Sequence, residues 1–244
     1  MSLRITLAVA VRVLTQLRRD HRTMAMLLVV PCALMALLWW MLDDVPGTFD
    51  RFAPGLLAMF PFIIMFLVTS VTTLRERSGG TLERLLAMPM GKLDFLVGYA
   101  LAFGLVAAVQ SAFAVALSVT LLGLDVEGPL WLLTIVAVAD AVLGSALGLL
   151  VSAFARTEFQ AVQFMPAVVI PQILLCGLFV PRSSLPDVLE AISDVLPLSY
   201  AVDAMQALTT TAQTGEVWGD VGVVAAIAAA GLALGAVTLR RRTP

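Results

Sequence analysis

The side chains that could do chemistry here are few, and their spacing rules out most kinds of it. His21 is the single histidine. It stands among Arg18, Arg19, Asp20 and Arg22 and reads as an interfacial side chain, not as a ligand or as the base of a Ser/His/Asp set. Cys32 and Cys176 lie in separate apolar runs without metal-ligand spacing, so they read as buried thiols and not as a disulfide. Gly91-Lys92-Leu93 is the nearest approach to a phosphate-binding loop, and it lacks the upstream glycine and the following Ser or Thr. Any ATP that drives this protein must be bound by another chain. Two features remain: a charged segment between two apolar runs, and one carboxylate inside a third.

The charged segment runs from Leu74 to Pro89 and carries Arg75, Glu76, Arg77, Glu83 and Arg84. Gly79-Gly80 breaks an incoming helix. Thr81 can cap a new short one, which Pro89 ends. Leu82, Leu85 and Leu86 would share one side of it, and Glu83 and Arg84 the other. Such a helix suits docking to a soluble partner. A positively charged loop that only sets topology would use the same residue types. The buried carboxylate is Asp140, on a stripe with Gly144, Gly148 and Ser152. Gly144 to Gly148 is a GxxxG pattern that permits close helix contact. A carboxylate at mid-membrane must face protein or water. Gln110 or Ser111, and Gln163 or Gln172, are its candidate partners. Asp140 either fixes helix packing or lines a polar route.

Composition says what must hold these residues. The chain has 244 residues, of which 60% are hydrophobic and only 13% charged, against about 25% charged in soluble domains. A span needs roughly 20 apolar residues. Six such runs are present, at about 24–42, 52–74, 93–122, 129–155, 161–180 and 219–239. An all-α polytopic membrane protein is expected, as one domain over 1–244. Residues 1–22 lack the apolar core of a cleavable leader. Residues 3–19 have an amphipathic period and predict an interfacial elbow helix before the first span. Thirteen of the 15 Lys and Arg fall on one side of a six-span topology; Arg51 and Arg182 fall on the other. Both termini and the 75–91 loop are therefore expected in the cytoplasm. The basic residues are accounted for by topology, so nucleic-acid binding has no support.

Trp39, Trp40 and Trp131 mark expected interfaces. Pro54 and Pro61 should bend the second span, and Pro166 and Pro171 the fifth. Residues 183–214 are too polar to span and too apolar for a plain loop. They predict two short outer helices, the first with Leu185, Val188, Leu189, Ile192 and Val195 on one stripe and Asp187, Glu190 and Asp194 behind. Ser184 is the expected cap. The stripe is expected to rest on the bundle, leaving Leu189 and Ile192 less accessible than Glu190 and Ser193. It either shields the outer end of a pathway or serves only structure.

The order of these features, with Arg75-Glu-Arg-Ser-Gly-Gly-Thr-Leu-Glu-Arg-Leu-Leu86, Gly177-Leu-Phe-Val-Pro-Arg-Ser-Ser-Leu-Pro186 and Leu196-Pro-Leu-Ser-Tyr-Ala-Val-Asp-Ala204, resembles the type-2 ABC transporter permease family, which includes daunorubicin-resistance-like exporters. Ser199 stands where Thr is frequent in that family. The resemblance covers essentially the whole chain. It implies the plasma (inner) membrane subunit of an ABC exporter of amphiphilic drugs or lipids. It also implies a second permease copy or relative, and partner ATPase subunits that bind ATP and Mg. No cofactor is expected in this chain. The resemblance makes Thr81 to Met88 the coupling helix, within a contact set of Arg75, Glu76, Arg77, Thr81, Leu82, Glu83, Arg84, Leu85 and Leu86. Asp140, Gln110, Gln163 and Gln172 are the candidate route. An ion-coupled secondary transporter, resting on Asp140, and a non-transporting immunity or sensor subunit are the alternatives.

Overall fold

The structure is a computed structural model that describes residues 2–45, 47–79, 92–155 and 157–238. Among these residues every regular element is helical. The order is α1 (Leu3–Arg19), α2 (His21–Leu42), α3 (Thr48–Ser78), α4 (Lys92–Thr120), α5 (Leu130–Ser152), α6 (Glu158–Leu175), a 3-10 turn (Arg182–Ser184), α7 (Asp187–Ser193), α8 (Pro197–Thr210) and α9 (Gly215–Thr238). Six of them, α2, α3, α4, α5, α6 and α9, are long and apolar enough to cross a membrane. A helix satisfies its own backbone polar groups, which is why apolar runs of this length fold this way in lipid. Pro31, Pro54, Pro61, Pro166 and Pro171 all lie inside continuous helices.

The bundle is organised around α3 and α5, the two most buried spans. A Cβ built on Gly144 would sit 2.3 Å from the Phe62 carbonyl oxygen, and one on Gly148 would sit 2.3 Å from that of Phe66. The two helices therefore run parallel with their backbones in contact, and only glycine fits at the crossing. Phe62, Phe66, Leu132, Leu133 and Leu143 fill the space around this seam and are fully buried. Ala146 and Leu149 carry α9 on another face of α5, opposite Gly231 and Gly235.

Two elements are smaller. α1 keeps Thr6, Val9, Ala10, Val13 and Leu17 buried at helical spacing, while Leu3 and Leu7, expected on the same face, are exposed. It lies on the first turns of α4, where a Cβ on Gly98 would meet Val9 at 2.7 Å and the Thr6 carbonyl at 2.9 Å. Asp20 separates it from α2. Its carboxylate accepts from the Thr23 hydroxyl at 2.7 Å and the Thr23 amide at 3.2 Å. Those bonds hold its pKa below the ordinary value.

α7 and α8 are the two outer helices, and α7 is turned differently from its expected docking. Ser193 is fully buried, while Val188 and Val195 are 71% and 74% exposed and Leu189 and Ile192 are exposed too. The cause is polar. The Ser193 hydroxyl reaches the Leu175 carbonyl at 2.7 Å and lies 3.1 Å from the Ser199 hydroxyl. Those bonds aim the small polar face inward, and Val188, Ile192 and Val195 of the apolar stripe line an open groove of about 610 Å³ with Asp187, Ala191 and Leu196. Pro186, not Ser184, precedes the first helical residue. Pro197 opens α8 at its first turn, where a missing N–H costs nothing.

Gly148→Ala should destabilise the protein by about 1–3 kcal/mol, because its Cβ would enter the Phe66 backbone. Gly104→Ala meets only Val142 at 3.6 Å and should be neutral or gain up to ~1 kcal/mol from helix propensity. Melting temperatures of both variants in one detergent check this; equal shifts would contradict the seam.

Candidate functional site

One end of the bundle gathers two ion pairs, Arg12–Glu76 and Arg75–Glu158, near the residues that flank positions 80–91. α3 brings Leu74, Arg75 and Glu76 there on one turn. Glu76 is only 5% exposed and accepts from Arg12 Nη2 of α1 at 3.1 Å. On the far side of the segment, Asp94 of α4 is buried and its Oδ1 accepts from the Ser2 backbone N–H at 2.7 Å and the Thr6 hydroxyl at 3.2 Å. A carboxylate at the first turn of α1 satisfies a free amide and complements the helix dipole. α1 is thus fastened to both roots of the segment. Arg75 faces the other way, to Glu158 at the start of α6.

Of the residues read as the docking set, Thr81, Leu82, Glu83, Arg84, Leu85 and Leu86 lie outside the described residues. Arg77 falls in the last turn of α3. Arg75 and Glu76 are placed, each against a partner of its own chain. Arg12, Asp94 and Glu158 were not singled out from sequence. The available signal was weak: an arginine on the polar face of α1, and one acidic residue in the first turn of each of α4 and α6.

The interior polar residues do not form one constellation. Asp140 and Gln110 are buried in α5 and α4, and neither side chain has a hydrogen-bond partner among the described residues. Asp140 lies on the stripe that continues through Gly144 and Gly148 toward α3. Ser111 ties α4 to α5 by donating to the Ala137 carbonyl at 3.2 Å. Gln172 is buried as well. Its amide nitrogen donates to the Val168 carbonyl at 3.0 Å, and its oxygen accepts from the Leu198 N–H at 3.4 Å. It acts as a cap for α8 supplied by α6. Gln163 is exposed on the surface of α6.

At the opposite end Arg182 pairs with Asp194 and Asp203 and lies over the Tyr200 ring at 5.3 Å. The Tyr200 hydroxyl donates to the Asp194 carbonyl at 2.7 Å. Burial raises the Asp203 pKa above its ordinary value, and the Arg182 charge offsets part of this. This cluster binds α7 to α8. Gly177 turns the chain toward it at φ +88°, where the left-handed backbone suits glycine. Among the described residues, no three His, Cys, Asp or Glu side chains are grouped to hold a metal.

The Arg12–Glu76 pair can be weighed directly. Removing Arg12 leaves a buried carboxylate without its cation, a loss of about 3–5 kcal/mol in a fully enclosed pair. Arg12 is one-third exposed, so about 1–2 kcal/mol is expected for Arg12→Ala. Arg12→Ala/Glu76→Gln should recover most of it, since the charge that needed pairing is gone. Thermal melts of the singles and the double in detergent check this; strict additivity would mean that the pair does not interact.

Comparison with known proteins agrees with this architecture. The family described as ABC-2 type transporter matches residues 5–209. The chain is 27% identical over 156 residues to the Escherichia coli protein called probable multidrug ABC transporter permease YbhS, covering 64% of this chain and 41% of that one. It is 28% identical over 157 residues to the inner membrane transport permease YhhJ of the same species, covering 63% and 42%. It is 29% identical over 157 residues to ABC transporter G family member 20 of Dictyostelium discoideum, covering 64% and 22%. The chain spans about two fifths of the bacterial relatives and about one fifth of the amoebal one. A match over most of this chain, on an all-helical fold with six candidate spans, makes it a member of the ABC-2 type transporter family.

Proposed function

We propose that this chain is the permease subunit of an ATP-driven exporter, with ATP and Mg held by a separate ABC subunit. One observation carries the docking part of this reading. α1 clamps the residues that flank positions 80–91, Glu76 through Arg12 and Asp94 through Ser2 and Thr6. A charged segment whose flanking residues are tied to α1 can pass a push from a soluble partner into the spans. Thr81 to Met88 is the coupling helix in this reading, and Leu82, Leu85 and Leu86 pack into a cleft of the ATPase. The distribution of Lys and Arg supports a cytoplasmic position for this end and for both termini. The relatives named as permeases, one of them of the inner membrane, support transport across that membrane. The apolar composition of the spans suits an amphiphilic drug or lipid-like substrate.

The exposed face of α6 bears Gln163, Ile170 and Leu174. Gln163 joins Asp140, Gln110 and Gln172 along one route only if that face turns toward a second permease copy or a relative. The proposed assembly therefore has two permeases and two ATPase subunits.

Two experiments test this reading in inside-out vesicles holding the complex, with ethidium as a cationic amphiphilic probe. Glu83→Arg/Arg84→Glu should retain ATP hydrolysis and lose ethidium transport; full transport in that variant removes the coupling-helix assignment. Asp140→Asn keeps size and hydrogen-bonding capacity but removes charge. It should retain expression and ATP hydrolysis and lose ethidium transport selectively over a neutral dye. Unchanged transport of both dyes would take Asp140 off the route.

A further inference from the structure

The root of the 80–91 segment is joined to a second place that the docking reading does not use. Leu74 is buried against Ala155 and Ala161, with Phe164 packed on them, in a cluster separate from the two larger cores. Ala155 belongs to the turn between α5 and α6; Ala161 and Phe164 belong to α6 itself. One residue on, Arg75 meets Glu158 through two parallel bonds, Nε to Oε1 at 2.9 Å and Nη2 to Oε2 at 3.0 Å. Such a forked pair fixes direction as well as distance. Both side chains are about half exposed, 60% and 49%. An exposed pair contributes little to folding stability, so stability gives no strong reason for this geometry.

α6 is the helix best suited to be moved by it. Within its own chain it is the least embedded of the six candidate spans, with 17% of its apolar stretch buried against 61% for α3. Pro166 and Pro171 each remove a backbone hydrogen bond from its interior and ease bending. It carries Gln172 at its far end, where that side chain holds the start of α8.

We propose that Glu158 is a positioning residue that makes α6 follow the root of the 80–91 segment. The proposal rests on the reading that this segment docks an ATPase. Displacement of the segment draws Leu74 and Arg75 with it. The apolar cluster supplies the contact, and the Arg75–Glu158 fork sets the direction in which the first turn of α6 is pulled. Motion at the docked end then reaches the outer helices through α6, while α3 and α5 stay in register.

The test uses the complex in inside-out vesicles and reads ethidium transported per ATP hydrolysed. A cysteine replacing Glu83 is cross-linked to the ATPase subunit in parallel. Glu158→Gln and Glu158→Arg should lower the transport ratio roughly two- to fivefold, the range open to an exposed ion pair, with hydrolysis and the cross-link retained. Arg75→Glu/Glu158→Arg restores the opposed charges and should restore the ratio, which a role in packing alone would not do. A ratio unchanged in Glu158→Gln and Glu158→Arg, with the cross-link present, overturns the assignment of Glu158 and leaves docking intact. Failure of the charge swap to restore a lowered ratio does the same. A missing cross-link in the otherwise unaltered chain overturns the docking reading and this proposal with it. If Glu158→Arg fails to fold, Glu158→Gln carries the decision, since it keeps a side chain of the same size and polarity at that position.

Discussion

Backbone contact between α3 and α5 is the constraint on which the rest of the molecule depends. Lipid offers no hydrophobic drive to bring two apolar helices together, so close packing must supply it. Gly144 and Gly148 let α5 approach the carbonyls of Phe62 and Phe66, and bulky side chains close over the crossing from both sides. Other helices then use this pair as a wall. α9 packs on Ala146 and Leu149, and α8 reaches Gly55 of α3 through Val202. Of the two, α9 keeps only a narrow buried face, whereas α8 is buried over much of its length.

The charged groups follow a different rule. Asp140 apart, those that form ion pairs are gathered at the two ends, where they fasten neighbouring elements to one another. At one end α1 is held by Glu76 and Asp94. At the other, Arg182 joins α7 to α8 through two carboxylates. Such pairs add modestly to stability when partly wet, but they fix orientation. A helix of seven residues such as α7 has little propensity of its own. Its placement comes from Arg182, from Ser193 and from the turn at Gly177.

The six spans were legible in the sequence because membrane thickness sets a length that composition must meet. The glycine stripe was legible as well, and its partner helix was not, since a GxxxG pattern carries no address. Polar contacts were the least legible. Nothing in the spacing of Glu76 points to Arg12, 64 positions away, or from Arg75 to Glu158, 83 positions away. α7 shows the same limit. Its amphipathic period told which residues share a face, but the direction of that face was decided by two hydrogen bonds from Ser193 to elements that periodicity cannot see. The candidate route was legible only as residue types. Asp140, Gln110 and Gln172 are buried and Gln163 is not, a difference that depends on which side of α6 the neighbours occupy.

The parallel run of α3 and α5 has a mechanical consequence. Phe62 matches Gly144 and Phe66 matches Gly148, so the two contacts repeat at one-turn spacing. A slip of one residue would press the Cβ of Ser145 or of its neighbours against a carbonyl. A slip of a full turn, about 5.4 Å, would bring Asp140 or Ser152 to the same carbonyls, so the seam is locked in one register. Displacements must pass through the other interfaces. The transmembrane region accordingly divides into a stiff inner stave, α3 with α5, and peripheral helices that can tilt around it.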